Sequence, residues 1–148
     1  MHTSRQASRG FTLIETLVAV AVTGLLSSIA YPTFTGTIAK ARRTDAHVAL
    51  MQLQLAQERH RANAPSYGSL EEINIANVSP SRHYRLSVSA NSAERYEARA
   101  TATGLQYADA RCRHLKLIVD GAQLSYASGA DASTGNDAAA NRQCWGGR

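Results

Sequence analysis

Cysteine, proline and tryptophan are scarce in this chain of 148 residues, with two, three and one copies respectively. Two cysteines exclude a disulfide-dense mini-protein and a four-cysteine zinc site. Three prolines leave no room for a proline-rich linker. Charged residues make up only 18% against 44% apolar ones, so the chain is not a disordered, solvating tail. Motifs of enzymes are missing as well. The sequence has no phosphate-binding glycine loop, no Gly-x-Ser-x-Gly, no histidine pair on one helix face and no zinc-ligand spacing. Its histidines, His2, His47, His60, His83 and His114, are scattered. With no activated nucleophile or acid–base pair to name, neither an enzyme nor a cofactor is expected, and no metal site. Asp131 and Asp137 suggest loop solvation more strongly than a calcium site. The excess of Lys and Arg, 16 against 11 acids, gives a formal +5 that permits anionic partners without requiring them.

What is present is distributed unevenly. Residues 1–10 are polar and basic, with Arg5 and Arg9, and from Gly10 to Ala39 the only charge is Glu15. The 24 residues from Phe11 to Phe34 would make a helix of roughly 36 Å, enough to cross a bilayer core of about 30 Å. Arginines ahead of the apolar run keep the extreme N-terminus cytoplasmic and export the remainder. Ser28-Ile29-Ala30 offers a small-x-small site for an ordinary signal peptidase, and a plain single-span anchor is the other simple reading. Against both stands Glu15. An ionised carboxylate at membrane depth costs on the order of 2.5–3.5 kcal/mol, and such a residue is normally kept for a partner.

Gly10-Phe11-Thr12-Leu13-Ile14-Glu15, after a short basic leader and before an apolar helix, resembles the class III signal of type IV prepilins. The resemblance implies cleavage between Gly10 and Phe11 by a prepilin peptidase and N-methylation of Phe11. It also implies that Glu15 pairs with the terminal amine of a neighbouring subunit, since a paired carboxylate is far less costly in lipid than a lone one. Gly24 and Pro32 interrupt the apolar segment, and Pro32 predicts a kink near Ser28 to Pro32. In the pilin family a Gly and a Pro at these offsets bracket a stretch that unwinds on assembly; a static kink is the other reading.

Beyond Pro32 the pattern is amphipathic. Ile38, Ala41, Val48, Met51 and Leu55 follow three- and four-residue steps, widened by Leu50 and Leu53. An unbroken helix from Phe11 to Ala62 would span about 78 Å. Residues 63–82 read as a loop pinned by Leu70, Ile73, Ile75 and Val78. Three alternating runs follow, with Tyr84, Leu86 and Val88, then Tyr96, Ala98, Ala100 and Ala102, then Leu115, Leu117 and Val119 on their apolar faces. Asp120-Gly121 predicts a hairpin into a fourth strand with Leu124 and Tyr126. The expected fold is α+β, a long N-terminal helix on a four-stranded antiparallel meander whose apolar face is covered by the helix around Val48 to Leu55. Export makes a Cys112–Cys144 disulfide the default, stapling a polar segment, Ser128 to Gln143, in which no periodicity is visible.

The expected organisation is a leader at 1–10, a transmembrane and filament-core half at 11–34, an amphipathic half at 35–62, the loop at 63–82, and the sheet with its disulfide-bounded end at 83–148. Ala30-Tyr31-Pro32, Ala41 to Ala46 and the terminal Cys144-Trp145 are similar to PilE-type minor pilins. That resemblance implies a structural subunit of a type IV pilus, held in the inner membrane with a periplasmic C-terminal domain and later part of an extracellular fibre serving twitching motility, adhesion or DNA uptake. Its implied partners are major and minor pilins, the prepilin peptidase and the inner-membrane assembly machinery. A second possibility is a pilus-borne DNA receptor, because Arg111, Arg113, His114 and Lys116 flank Cys112 while Arg142, Trp145 and Arg148 flank Cys144. A third is a type II secretion pseudopilin. Glu15→Ala is expected to leave expression and processing intact and to lower incorporation into filaments, read by immunoblotting of sheared fibres; wild-type incorporation would remove the role given to Glu15.

Overall fold

The computed structural model describes residues 10–89 and 91–146, with the backbone alone at 31 and 32. The leader residues Arg5 and Arg9 and the terminal Arg148 lie outside the described residues. The chain divides after Gly36 into two compact units. One helix, α1, is assigned from Leu13 to Arg61 without a break at Gly24 or Pro32. Glu15 stands in its first turn and Arg59, His60 and Arg61 in its last, as the helix dipole favours.

In the N-terminal unit α1 is apolar and long enough to cross a membrane. Leu13, Leu17, Val20, Leu25, Leu26, Ile29 and Phe34 are all exposed. The few hydroxyls turn back onto their own helix: Thr16 donates to the Leu13 carbonyl, Thr23 to Ala19 and Ser28 to Leu25, at 2.7–2.8 Å. Such bonds satisfy polar side chains where lipid offers no partner.

The C-terminal unit is built on the expected meander. Strands β1 (Tyr84–Ser89), β2 (Arg95–Ala102), β3 (His114–Asp120) and β4 (Gln123–Gly129) pair antiparallel in sequence order. Alternation places Tyr84, Leu86, Tyr96, Ala98, Ala100, Ala102, Leu115, Leu117 and Val119 in the core. The β3–β4 turn pairs Asp120 with Gln123 and holds Gly121 at φ +57°, a left-handed value that glycine adopts without strain. Leu124 lies in β4 as expected and is 40% exposed. Burial on β4 falls instead on Ala127 and Ser128, where the second helix α2 (Ala138–Trp145) packs.

Of the stripe expected to cover the core, Leu50 and Leu53 face it, while its other members from Val48 to Leu55 turn outward. Ala46, Ala49, Leu50 and Leu53 are buried, with Arg43 above and Gln57 below on the same steps, whereas Val48, Met51 and Leu55 are 41–52% exposed. The two stripes are about equally apolar. The inner one is decided by its polar ends, whose burial is fully used. Gln57 donates to the Gly68 carbonyl and accepts from the Gly68 N–H, clamping the loop after α1. A Cβ at Gly68 would come within 3.0 Å of His60 and Ile73. That loop is further fixed by Tyr67 and Ile73, both buried, and by Leu70 and Ile75 against the core, while Val78 is 38% exposed and makes a bridge to Arg85. Asp45 accepts from the Ser79 hydroxyl and from the Ser81 and His83 N–H groups.

The segment enclosed by the disulfide is more ordered than its composition suggests. Asp137 caps α2 by accepting from the Ala140 N–H, and Gly146 closes it in the left-handed conformation. Leu53→Ala is expected to cost about 2–5 kcal/mol in urea unfolding of the chain in detergent. Met51→Ala is expected to cost about 0.5 kcal/mol or less. Equal losses would contradict this assignment of the buried stripe.

Candidate processing site and nucleic-acid interface

Gly10 and Phe11 lie ahead of α1 in non-helical backbone, and Phe11 is 86% exposed. A Cβ at Gly10 would meet nothing within 4 Å, so the packing of this chain does not require the glycine. The same is true of Gly24. Thr12 and Glu15 form a capping box. The Glu15 carboxylate accepts from the Thr12 N–H at 2.9 Å and from the Thr12 hydroxyl at 2.8 Å, and the Glu15 N–H donates to the Thr12 hydroxyl at 3.3 Å. This carboxylate is therefore occupied by its own helix start, a feature that the Thr-x-x-Glu spacing already displays.

The second site gathers around the disulfide. Cys112 and Cys144 are bonded, with S–S 2.04 Å and Cα–Cα 5.6 Å. The bond brings Arg111 beside α2, where the Cys144 sulfur lies 3.6 Å from the Arg111 carbonyl. Arg111 and Arg142 are exposed, and Arg113 is half-buried. The Arg113 guanidinium lies 4.2 Å over the Tyr107 ring, and its Nε donates to the Tyr107 carbonyl at 2.9 Å.

Two members of the expected basic cluster are elsewhere. Lys116 is buried, 5% exposed, on the opposite face of β3 from the core and 3.5 Å from Glu97, which also takes Arg99 at 2.6 Å. Burial disfavours the charged Glu97 carboxylate, but the two cations overcome this and hold its carboxyl below the usual range. Trp145 is 3% exposed: its indole N–H donates to the Ala127 carbonyl and its ring stacks on His47 at 4.8 Å. A terminal tryptophan in a polar segment reads as a surface residue; here it is the plug beneath α2. Burial, then Arg99, lowers the His114 pKa from its ordinary value and so disfavours its charged form.

The residues that position this face are not apparent from the amphipathic pattern. Arg43, 8% exposed on α1, makes a bidentate pair with Asp109, Nε–Oδ2 2.7 Å and Nη2–Oδ1 2.9 Å, and donates from Nη1 to the Gln143 carbonyl on α2. Gln106 donates to the Ala39 carbonyl, the Tyr84 hydroxyl and Asp109. Burial first of all pushes the Tyr84 hydroxyl up to about 12, so it stays protonated. The available signal was an arginine in step with Ala46 and Leu50, and a lone acid, Asp109, in the stretch from 98 to 119.

Residues 32–116 match the model of a family described as "Type IV minor pilin ComP, DNA uptake sequence receptor", and residues 5–31 match the prokaryotic N-terminal methylation motif. The chain is 35% identical over 89 residues to the type IV major pilin protein PilA of Myxococcus xanthus, covering 59% of this chain and 40% of the relative. It is 31% identical over 68 residues to the type II secretion system core protein G of Klebsiella michiganensis, covering 46% and 48%. It thus spans less than half the length of either relative. The methylation motif, the long helix on a disulfide-closed meander and a family match over more than half its length together place this chain in the type IV minor pilin family.

Proposed function

We propose that this minor pilin is cleaved between Gly10 and Phe11 by a prepilin peptidase, methylated on Phe11, and held in the inner membrane by residues 11–34 with its C-terminal domain periplasmic. Other pilins and the inner-membrane assembly machinery then take it into the extracellular fibre. Cleavage turns the Phe11 peptide nitrogen into a cationic amine next to Thr12. The Glu15 carboxylate can then exchange its Thr12 bonds for the amine of a neighbouring subunit, and Gly24 and Pro32 are the positions at which the helix would loosen. The exposed apolar stripe of Val48, Met51 and Leu55 suits packing against other pilin helices.

Within that fibre the domain binds duplex DNA through the basic face beside the disulfide. The observation that carries this reading is the cluster of arginines there. Asp109, the one acid between 98 and 119, has both carboxylate oxygens engaged by Arg43, leaving Arg111, Arg113 and Arg142 to face outward around Cys112–Cys144. Arg148 belongs to the same proposal by its place in the sequence. The family description agrees with this chemistry, and a disulfide-closed end fits a pilin better than a secretion pseudopilin.

The test is a salt titration of duplex binding by the mature chain in detergent. Arg111→Ala and Arg142→Ala are each expected to reduce the slope of log affinity against log salt by about one. Lys116→Met is expected to leave the slope unchanged, because Lys116 is already paired with Glu97. An unaltered slope in both arginine variants would contradict the site.

A further inference from the structure

The connection between β2 and β3 contains a 3-10 turn, Gly104–Ala108, that exposes its apolar side chains. Leu105 is 82% exposed and Tyr107 is 52% exposed, yet Gln106 between them is 1% exposed. Gln106 is bonded to the Ala39 carbonyl, the Tyr84 hydroxyl and Asp109, which in turn is locked by Arg43. At the start of the turn, Gly104 adopts φ +54° and the Thr103 hydroxyl donates to the Arg82 and His83 carbonyls. The turn is therefore anchored through its middle residue, and the anchor drives its two neighbours outward. Leu105 makes no contribution to the core from this position, and an exposed leucine and tyrosine held on a rigid base form a contact surface.

The surroundings of the patch indicate what it contacts. Arg113 covers one face of the Tyr107 ring and spends only Nε on the Tyr107 carbonyl, so its two terminal nitrogens remain for another acceptor. Arg111 is exposed two residues away, and Arg82 is exposed beside Thr103. Asp109, the acid of this connection, is buried in its pair with Arg43. An apolar projection ringed by guanidinium groups complements a surface that alternates base edges with phosphates. We infer that this turn is an apolar wedge, pressing Leu105 and Tyr107 against the base edges of a DNA duplex while Arg111, Arg113 and Arg82 hold the flanking phosphates.

This inference rests on the DNA-binding reading above and adds to it a contact that deforms the duplex. Mature full-length protein in detergent is titrated into a 24-bp duplex carrying 2-aminopurine at successive positions, whose fluorescence rises when the base unstacks. Wild-type protein is expected to raise the fluorescence at one or two steps. Leu105→Ala with Tyr107→Ala is expected to abolish that rise and to weaken binding by about tenfold, with the salt slope unchanged. Tyr107→Phe is expected to behave as wild type. Both alanine positions are exposed, and an unchanged thermal midpoint verifies the fold. If the wild-type protein binds no duplex at low salt, the DNA-binding reading falls and the wedge with it. If it binds but the double variant matches it in affinity and no probe brightens, the wedge alone is wrong. A double variant that binds DNA normally and instead recovers fewer pilin subunits from fibres also overturns the wedge, and makes the turn a contact between subunits.

Discussion

The bidentate pair between Arg43 and Asp109 organises the C-terminal unit. It joins three parts of the chain that the meander alone would leave independent: helix α1, the β2–β3 connection through Asp109, and α2 through the Gln143 carbonyl. A buried ion pair adds little net stability over a well-packed apolar replacement. Its value is geometric. Removing one partner leaves a charge stranded in the core, so the pair holds the three elements in one arrangement. Gln106 extends that control to the Tyr84 hydroxyl and the helix backbone at Ala39.

The disulfide acts on the same region from the covalent side. By fixing Cys144 to Cys112 it holds α2 against β4, where Trp145 fills the space below and Asn141 accepts from the Ser128 hydroxyl while donating to the Tyr126 carbonyl. The consequence is electrostatic. Near this end Asp109 is taken by Arg43 and Glu97 by Arg99 and Lys116, while Asp131 and Asp137 stay exposed in the segment before and at the start of α2, and Arg111 and Arg142 are left at the surface. The N-terminal unit follows a separate logic, in which Thr16, Thr23 and Ser28 bond back to their own helix and Glu15 bonds to Thr12.

The strands were legible because their apolar residues alternate strictly, and the Asp120-Gly121 turn and the cysteine pair announced themselves by type. The buried stripe of α1 was legible from apolarity only at Leu50 and Leu53. Both candidate stripes repeat at helical spacing, and the one that faces the sheet ends in Arg43 and Gln57, polar residues that a hydrophobic pattern discards. Helix α2 escaped notice because Ala138-Ala139-Ala140-Asn141 has no amphipathic period; its signals are the Asp137 cap and the closing Gly146. Two members of the expected basic cluster lie elsewhere for a related reason. Position beside a cysteine says nothing of strand face, and Lys116 and Trp145 are turned into partners that lie far away in sequence, Glu97 and His47.

The most direct test of this account is a double-mutant cycle on the ion pair, read by urea unfolding of the mature chain in detergent. Arg43→Met alone is expected to cost about 3–5 kcal/mol, since it strands the Asp109 carboxylate. Adding Asp109→Leu is expected to recover most of that loss. A single variant that unfolds within about 0.5 kcal/mol of wild type would contradict the central place given to this pair.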